Sequence, residues 1–562
     1  MRLYKISRVF LFLSFFSSSI FAQESLKSTE EEYYDFLSLT GAAERPTLNY
    51  RTLSDSEWQL TDENHLWKDN NLGTKRTLYK SNCIETNWFT AGIDRSVKLK
   101  LYGPEWFNSY NTKVPYGQND GALWQGKGYN TSLTAGVRLE AFGFEATFKP
   151  QVSWSQNREF DYIMPNYPAT DKDGNSTIYN NKASKYGYYG VQSIDVPQRF
   201  GNSSFLTYDW GDTEIRYLWK NFTAGFGTQT IWLGPAQLNP IIHSNNASSY
   251  PKFDIGLRKT SVFMPHFGWY LGDFEGRGWW GKLSESDYFD NDDSNDSNLI
   301  SGLAIAWKLP FSNLTVGLNR TMLSKWNDKC VYSLTNIYIP FDNNGGNDDS
   351  DQRFSFTADW LFEAVGLEIY LEWGRNDYSP SFNYIIRYPF HTQGWTAGIR
   401  KIFSLSNNNF IELLFECTNL ESSRDYSLLW STTFYAHHII TQGYTNNGQW
   451  LGAGIGTGGN SQYLGLKFRT QKSTYTTFIQ RRNHDLDYTW YLDDNSDSRT
   501  ETSIRASLDF GIDALFFANQ SLKLNTTFII NRNFNATNND NDKNANSLNF
   551  NFVYQFGIKY NF

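Results

Sequence analysis

His243 stands beside Ser244 and His437 beside His438, and from such pairs a nucleophile and its base could be drawn. Adjacent residues on one strand point to opposite faces, so neither pair can itself form a dyad within a strand. No Gly-x-Ser-x-Gly turn, which would present a serine nucleophile above a sheet, occurs in the chain. Glu363, Glu368 and Glu372 could supply the paired carboxylates of glycoside hydrolysis, yet acids on an inward face more often solvate a polar interior. No catalytic residue is assigned, and the chain is read as a non-enzyme. The acidic run Asp290, Asp292, Asp293 and Asp296 could hold a divalent cation, but it lacks a complete calcium-loop spacing. Asp171-Lys172-Asp173-Gly174 places its glycine too early, so both read as solvated loops. Cys83, Cys330 and Cys417 are odd in number and far apart, which allows at most one disulfide and no zinc-type spacing. Neither a metal nor a cofactor is assigned.

The elements that would carry such residues are strands. Leu548, Phe550, Phe552, Tyr554, Phe556, Ile558, Tyr560 and Phe562 alternate with mostly polar residues to the end of the chain. Eight large apolar side chains on one face suit a strand with lipid on one side and a polar interior on the other. The same period recurs at Ile504, Ala506, Leu508, Phe510 and Ile512, interleaved with Arg505, Ser507, Asp509, Gly511 and Asp513, of which the charged residues point inward. Leu133, Ala135, Val137 and Leu139 lead through a short turn at Phe142-Gly143 into Phe144, Ala146 and Phe148, which predicts a tight hairpin. A second hairpin is predicted from Leu303, Ile305, Trp307 and Leu309, past Pro310, to Leu314, Val316 and Leu318. Tight turns belong on the periplasmic side of a barrel and long loops outside. Ser284–Asn298, Asp342–Gln352, Asp493–Glu501 and Asn535–Ser547, rich in Asp, Asn, Gly and Ser, read as extracellular loops.

At the other end, Arg2, Lys5 and Arg8 precede an apolar stretch from Val9 to Ile20, the pattern of a secretory signal peptide over residues 1–22 with cleavage after Ala22. Its removal takes three basic and no acidic residues, so the formal charge moves from -8 to -11. An acidic mature chain argues against a nucleic-acid partner. With 20 Trp, 35 Tyr and 43 Phe and no later segment resembling an uncharged helical span, helical membrane proteins are excluded and aromatic girdles are expected. Residues 23–80 do not alternate. Thr29 to Glu32 has capping-box spacing, Tyr33, Phe36 and Leu37 form a stripe, and Gly41 sits where a helix would stop. A second helix start is read at Ser54 to Glu57 before Trp58, with Trp67 following. Short helices need a partner surface, so 23–80 is predicted to plug the periplasmic mouth. Residues 81–562 then form an all-β transmembrane antiparallel β-barrel of about 16 to 18 strands at roughly 25 residues per strand. Its expected partners are outer-membrane lipid and, through the strand ending at Phe562, the barrel-assembly machinery.

Three stretches carry a family resemblance. Pro104-Glu105 and Asn108-Ser109 precede PYGQNDGALWQGKG (Pro115–Gly128); WLGPAQLNPIIHSNNASSYP spans Trp232–Pro251; HHIITQGYTNNGQWLGAGIG spans His437–Gly456. They resemble the capsule-assembly outer-membrane proteins called Wzi, with Leu233 standing where that family is expected to carry a second Trp. The resemblance implies a monomeric barrel of about 18 strands, closed by N-terminal helices, that holds exported capsular or other surface polysaccharide like a lectin. Carboxamides and carboxylates pair with sugar hydroxyls, and Trp faces stack on the apolar side of a pyranose. Asn119, Asp120, Trp124, Trp232, Asn245 and Asn246 are the candidate polysaccharide contacts, although NDG and SNN also suit turns. Arg277, Trp279 and Trp280 are read as an interface girdle in preference to a stacking platform. The alternative function is a porin-like diffusion channel for small solutes.

Overall fold

The structure is a computed structural model describing residues 28–70, 72, 75–80, 90–162, 169–170, 176–177, 186, 193–290, 292–327, 334, 336–338, 350–376, 382–423, 433–487, 505–536 and 550–562. The stretch predicted as a signal peptide, Cys83, Cys330 and most of the three later polar loops lie outside these residues, and Cys417 is a half-buried free thiol.

Eighteen antiparallel strands close into one barrel. They begin β1 (Val97–Asn111), β2 (Gly128–Ala141), β3 in two segments (Phe144–Phe148, Gln151–Ser155) and β4 in two segments (Phe205–Asp209, Glu214–Trp219). Next come β5 (Phe222–Gly227), β6 (Lys252–Phe263), β7 (Tyr270–Ser284), β8 (Ser297–Lys308), β9 (Leu314–Lys325) and β10 (Ser350–Phe362). The wall continues through β11 (Leu367–Asn376), β12 (Gln393–Ser404), β13 (Phe410–Asn419) and β14 (Asn460–Arg469). It finishes with β15 (Ser473–Asn483), β16 (Ala506–Phe517), β17 (Leu522–Phe534) and β18 (Phe550–Tyr560).

Alternation decides which side chains meet lipid. On β18, Phe550, Phe552, Tyr554 and Phe556 are between 38% and 51% exposed, whereas Asn551 and Val553 between them are buried. The same holds for Leu508, Phe510 and Ile512 on β16, with Ser507 and Asp509 buried inside. An apolar exterior over a polar interior is the lipid-spanning arrangement. Among the described residues no helix is long and apolar enough to cross a membrane; the strands cross it. The Phe142-Gly143 turn has φ of +54° and +84°, which brings β2 and β3 together as a two-residue hairpin. The barrel closes where β18 pairs with β1, from Val553 opposite Asn111 to Lys559 opposite Glu105. There the β1–β2 register slips between Tyr102 and Glu105, and a Cβ on Gly103 would lie 1.3 Å from the Tyr560 carbonyl oxygen. Glycine at 103 is what lets the last strand pass.

Residues 28–60 enter the lumen from the end bearing the short turns. Helix α1 (Thr29–Leu39) buries Tyr33, Phe36 and Leu37 against the inner wall, and Gly41 beyond it has φ of +72°. Phe36 meets Phe410 edge-on at 5.3 Å, and Trp67 stacks on Tyr33 at 4.1 Å while its Nε1 donates to the Thr470 carbonyl. Two expectations need correction. The N-cap is Ser28, whose Oγ accepts the Glu31 N–H at 3.2 Å, so the capping contact starts one residue before Thr29. No helix follows Ser54; Leu53–Asp55 is a single 3-10 turn, because Asp55 is drawn into the wall.

That wall is a network of buried ion pairs. Asp55 meets Arg258 at 2.5 Å and Arg277 at 2.7 Å; Arg277 continues to Asp254 at 2.7 Å, and Asp254 to Arg216 at 2.6 Å. Burial pushes the Asp55 carboxyl up, but Arg277 and Arg258 outweigh it and hold it well below the ordinary carboxylate range. A second network joins Asp35 of α1 to Arg400 at 2.6 Å and to Arg45 at 3.1 Å, with Arg45 on Asp359 and Glu368. Arg277 and Trp279 are therefore lumenal, not girdle: Trp279 is fully buried against Tyr50 at 5.5 Å, and of the three only Trp280 turns to the outer face, where it stacks on Phe253. Replacing Asp55 by Ala leaves Arg277 with Asp254 and Arg258 with Glu145 but each short of one carboxylate, a loss of about 1–3 kcal/mol. Limited proteolysis of the folded barrel should then cut within residues 28–70 well before it cuts the wild type.

Candidate functional site

Three long connections at the opposite end do not stand away from the barrel; they fold into it. They are residues 112–127 between β1 and β2, 228–251 between β5 and β6, and 420–459 between β13 and β14, of which 424–432 lie outside the described residues. Irregular backbone inside a barrel needs partners for its N–H groups, and acids on the inner wall supply them. Glu416 accepts from the N–H of Gln237 (2.7 Å), Leu238 and Asn239 (2.9 Å), and Glu372 from that of Ile241 (2.8 Å). Glu275 likewise takes the N–H of Leu48, Asn49 and Tyr50 from the N-terminal segment.

The three loops clasp one another. Asn119, in the left-handed region at φ +60°, donates from its backbone to Asn246 Oδ1 at 3.1 Å and from Nδ2 to the Leu238 carbonyl at 2.8 Å. Gly121 N–H reaches the Asn245 carbonyl at 2.8 Å. Asn246 Nδ2 donates to the Trp450 carbonyl at 3.0 Å, and Ser244 binds both Leu451 and Gly452. At the bottom, Trp232 and Leu233 pair as a short antiparallel bridge with Arg51 and Tyr50 of the N-terminal segment, and the Gly234 N–H reaches the Asn49 carbonyl.

Above this packing opens a cleft of about 250 Å³. Tyr116, Trp124 and Trp450 give it aromatic faces; Asp120, Gln125, Asn246, Arg482 and Asn531 give it polar groups. Arg482 lies over the Tyr116 ring at 5.0 Å and pairs with Asp509 at 2.7 Å. Burial raises the Asp120 carboxyl to about 7 against the pull of hydrogen bonds from Gln125 and Gln118, so at neutral pH it can donate as well as accept. Among the described residues Trp124 Nε1, Gln125 Oε1 and Arg482 Nε are buried without a partner, an uncommon state for such atoms. Rings beside hydrogen-bonding groups of both polarities match what a sugar ring offers, an apolar face rimmed by hydroxyls.

Of the candidate contacts, Asp120, Trp124 and Asn246 line this cleft. Asn119 and Asn245, with Asp120 again, line a second cavity of about 220 Å³ beneath it, against Lys149, Asp209 and Asp212. Trp232 lies lower still, 1% exposed, its Nε1 donating to the Ala236 carbonyl. Tyr116 and Trp450 were not among the candidates although both stand inside the quoted motifs; Arg482 and Asn531 were legible only as inward positions of alternating strands. The histidine pairs are in loops and not on strands. Burial drives the His243 imidazole down to about 3, and it is held between the Ile231 carbonyl and Tyr250 Oη. Glu368 is committed to Arg45 and Arg400, and Glu372 to Ser355 and the loop backbone. Among the described residues no three His, Cys, Asp or Glu gather as metal ligands.

Fold and site together define an outer-membrane β-barrel whose lumen is occupied by its own loops. The chain matches the family described as capsule assembly protein Wzi over residues 115–548 and belongs to it. A solved Wzi, an outer-membrane protein involved in group 1 capsule assembly in Escherichia coli and described as a carbohydrate-binding β-barrel, is similar at 12% identity. The alignment covers 82% of this chain and 85% of that one with a TM-score of 0.52. Pseudomonas putida OprB (9% identity, 82% and 94% covered, TM-score 0.34) and Acinetobacter baumannii OccAB2 (10%, 82% and 97%, 0.39) are also similar. A search of curated protein sequences finds no match.

Replacing Asn246 by Ala removes links to both neighbouring loops, at about 1–3 kcal/mol for the buried groups left unpaired. Hydrogen exchange should quicken at residues 115–126 and 448–456 while the strands keep their protection.

Proposed function

We propose that this protein attaches exported capsular or other surface polysaccharide to the cell through the extracellular cleft, as a non-catalytic, lectin-like barrel. One observation carries the reading: three stretches inside the Wzi-family match, far apart in sequence, converge on one cleft that combines half-buried aromatic faces with amide, carboxyl and guanidinium groups. Trp124 and Trp450 would stack on sugar rings, with Asp120, Asn246 and Asn531 bonding hydroxyls. Asn119, Asn245 and the buried Trp232 would support the loops beneath. The commitment of Glu368, Glu372 and His243 to structural partners supports a site that binds without turnover. Single sugar contacts are weak, and retention would come from many barrels gripping one polymer at high effective concentration. The barrel would act as a monomer in outer-membrane lipid, assembled through the strand that ends at Phe562.

Residues 28–70 would serve as a plug, which disfavours the diffusion-channel reading. The docking of Asp35 and Asp55 on wall arginines supports it.

The test is retention. Cells expressing the Trp124→Ala/Trp450→Ala protein should shed high-molecular-weight polysaccharide at unchanged total synthesis, by about 3- to 10-fold per lost ring contact, with folded barrel still in the outer membrane. Unchanged retention contradicts the assignment. For the plug, deleting residues 24–66 should raise single-channel conductance in planar bilayers above that of the intact protein; an intact protein that already conducts like an open porin refutes it.

A further inference from the structure

Inside the barrel, arginines meet carboxylates; one stretch of the outer surface is different. Arg481 on β15 is registered opposite Leu508 on β16, Leu508 opposite Arg532 on β17, and Arg532 opposite Phe550 on β18. Their neighbours Arg482 and Asn531 are buried inward, so Arg481 and Arg532, both exposed, face out. The row continues across the barrel seam. Lys113 follows β1 and donates its backbone N–H to Asn551 Oδ1 beside Phe550. Lys127 and Arg158 sit at the adjoining ends of β2 and β3, with the Arg158 N–H on the Lys127 carbonyl. Arg158 Nη1 lies 3.4 Å from Tyr110 Oη, and Tyr110 and Tyr129 are exposed on the outer face.

Among the described residues none of these five cations has a carboxylate within ion-pair distance. Arg481 donates to the neutral oxygens of Asn460 (2.6 Å), Gln462 (2.8 Å) and Asn483 (2.7 Å), and Arg532 lies over Phe534 at 4.7 Å and Phe550 at 5.7 Å. Lys127 is held below the ordinary lysine range by partial burial and then by Arg158 and Lys113, with Glu159 and Asp161 opposing more weakly. The five cations outnumber the acids near them, Glu159 and Asp161 beside Lys127 and Glu421 beside Arg481, and an excess of like charge is relieved by an external anion. Its position selects the anion. The row stands at the extracellular ends of strands whose outer faces are Leu508, Phe510, Phe550, Phe552 and Tyr110, at the level of an aromatic girdle and lipid headgroups.

We propose that Lys113, Lys127, Arg158, Arg481 and Arg532 form a docking surface for the phosphate groups of a phosphorylated lipid in the extracellular leaflet, whose acyl chains lie along the apolar side chains below. This surface is on the outer wall and independent of the polysaccharide cleft. It would fix the barrel's height and surroundings in the leaflet.

The test uses the full-length protein purified in neutral detergent with bisphosphorylated lipid A as probe and native mass spectrometry counting bound lipid. The Lys113→Gln/Lys127→Gln/Arg158→Gln/Arg532→Gln protein should retain it at least tenfold less well than wild type, and dephosphorylated lipid A should bind both proteins equally weakly. Should the quadruple variant fail to show the heat-modifiable migration of a folded barrel, Arg532→Gln alone serves, with about a threefold loss expected. Equal retention by a folded variant, or wild-type retention that survives dephosphorylation of the lipid, overturns the proposal. Full displacement of the lipid by millimolar inorganic phosphate also overturns it, since the site would then be one for free phosphate.

Discussion

A guanidinium taken out of water must meet carboxylates, and this barrel buries Arg216, Arg277 and Arg400 almost completely in its lumen. The wall pairs Arg216 by itself, through Glu214 and Asp254, whereas Arg277 and Arg400 also draw on acids from outside it. Asp55 completes the pairing of Arg277 and Arg258, and Asp35 that of Arg400. Both acids come from the segment that precedes the barrel, so that segment is bound to the wall by a need that neither part meets alone. Whatever rests on the segment is positioned by those pairs in turn.

What rests on it is the 228–251 loop. Its Trp232-Leu233 bridge lies on Tyr50-Arg51, its middle is pinned to Glu416 and Glu372, and its far end holds Asn119, Gly121 and Trp450. The wall acids thus have two tasks. Glu368 and Glu412 neutralise arginines, while Glu275, Glu372 and Glu416 accept the backbone N–H groups of segments that have no sheet to pair with. A Wzi-family barrel can therefore present an extracellular cleft made largely of loop residues, with Arg482 and Asn531 of the wall completing it.

The barrel was legible because a lipid-facing strand imposes a two-residue period, as on β18 and β16, and the helix because Tyr33, Phe36 and Leu37 recur at helical spacing. Helix initiation was misplaced by one residue since Ser28 and Thr29 are both competent caps and only geometry chooses between them. The turn at Leu53–Asp55 was misread because local capping signals say nothing of Arg258 and Arg277, more than two hundred residues away. Arg277 and Trp279 carried girdle composition but lie inward, a matter of strand phase that glycines at 276 and 278 leave unmarked. The cleft was legible in part: motif composition pointed to Asp120, Trp124 and Asn246, whereas Arg482 and Asn531 enter only through closure of the barrel.

The central claim, that the N-terminal segment is the floor on which the extracellular loops are built, is tested most directly by amide hydrogen exchange in the folded barrel with and without residues 28–70. The account predicts that loss of the segment speeds exchange at Leu233 and Gly234 and also at Gly121 and Ser244, which do not touch it, while β8 and β9 stay protected. Unchanged exchange at Gly121 and Ser244 would show that the cleft stands without its floor and would contradict the account.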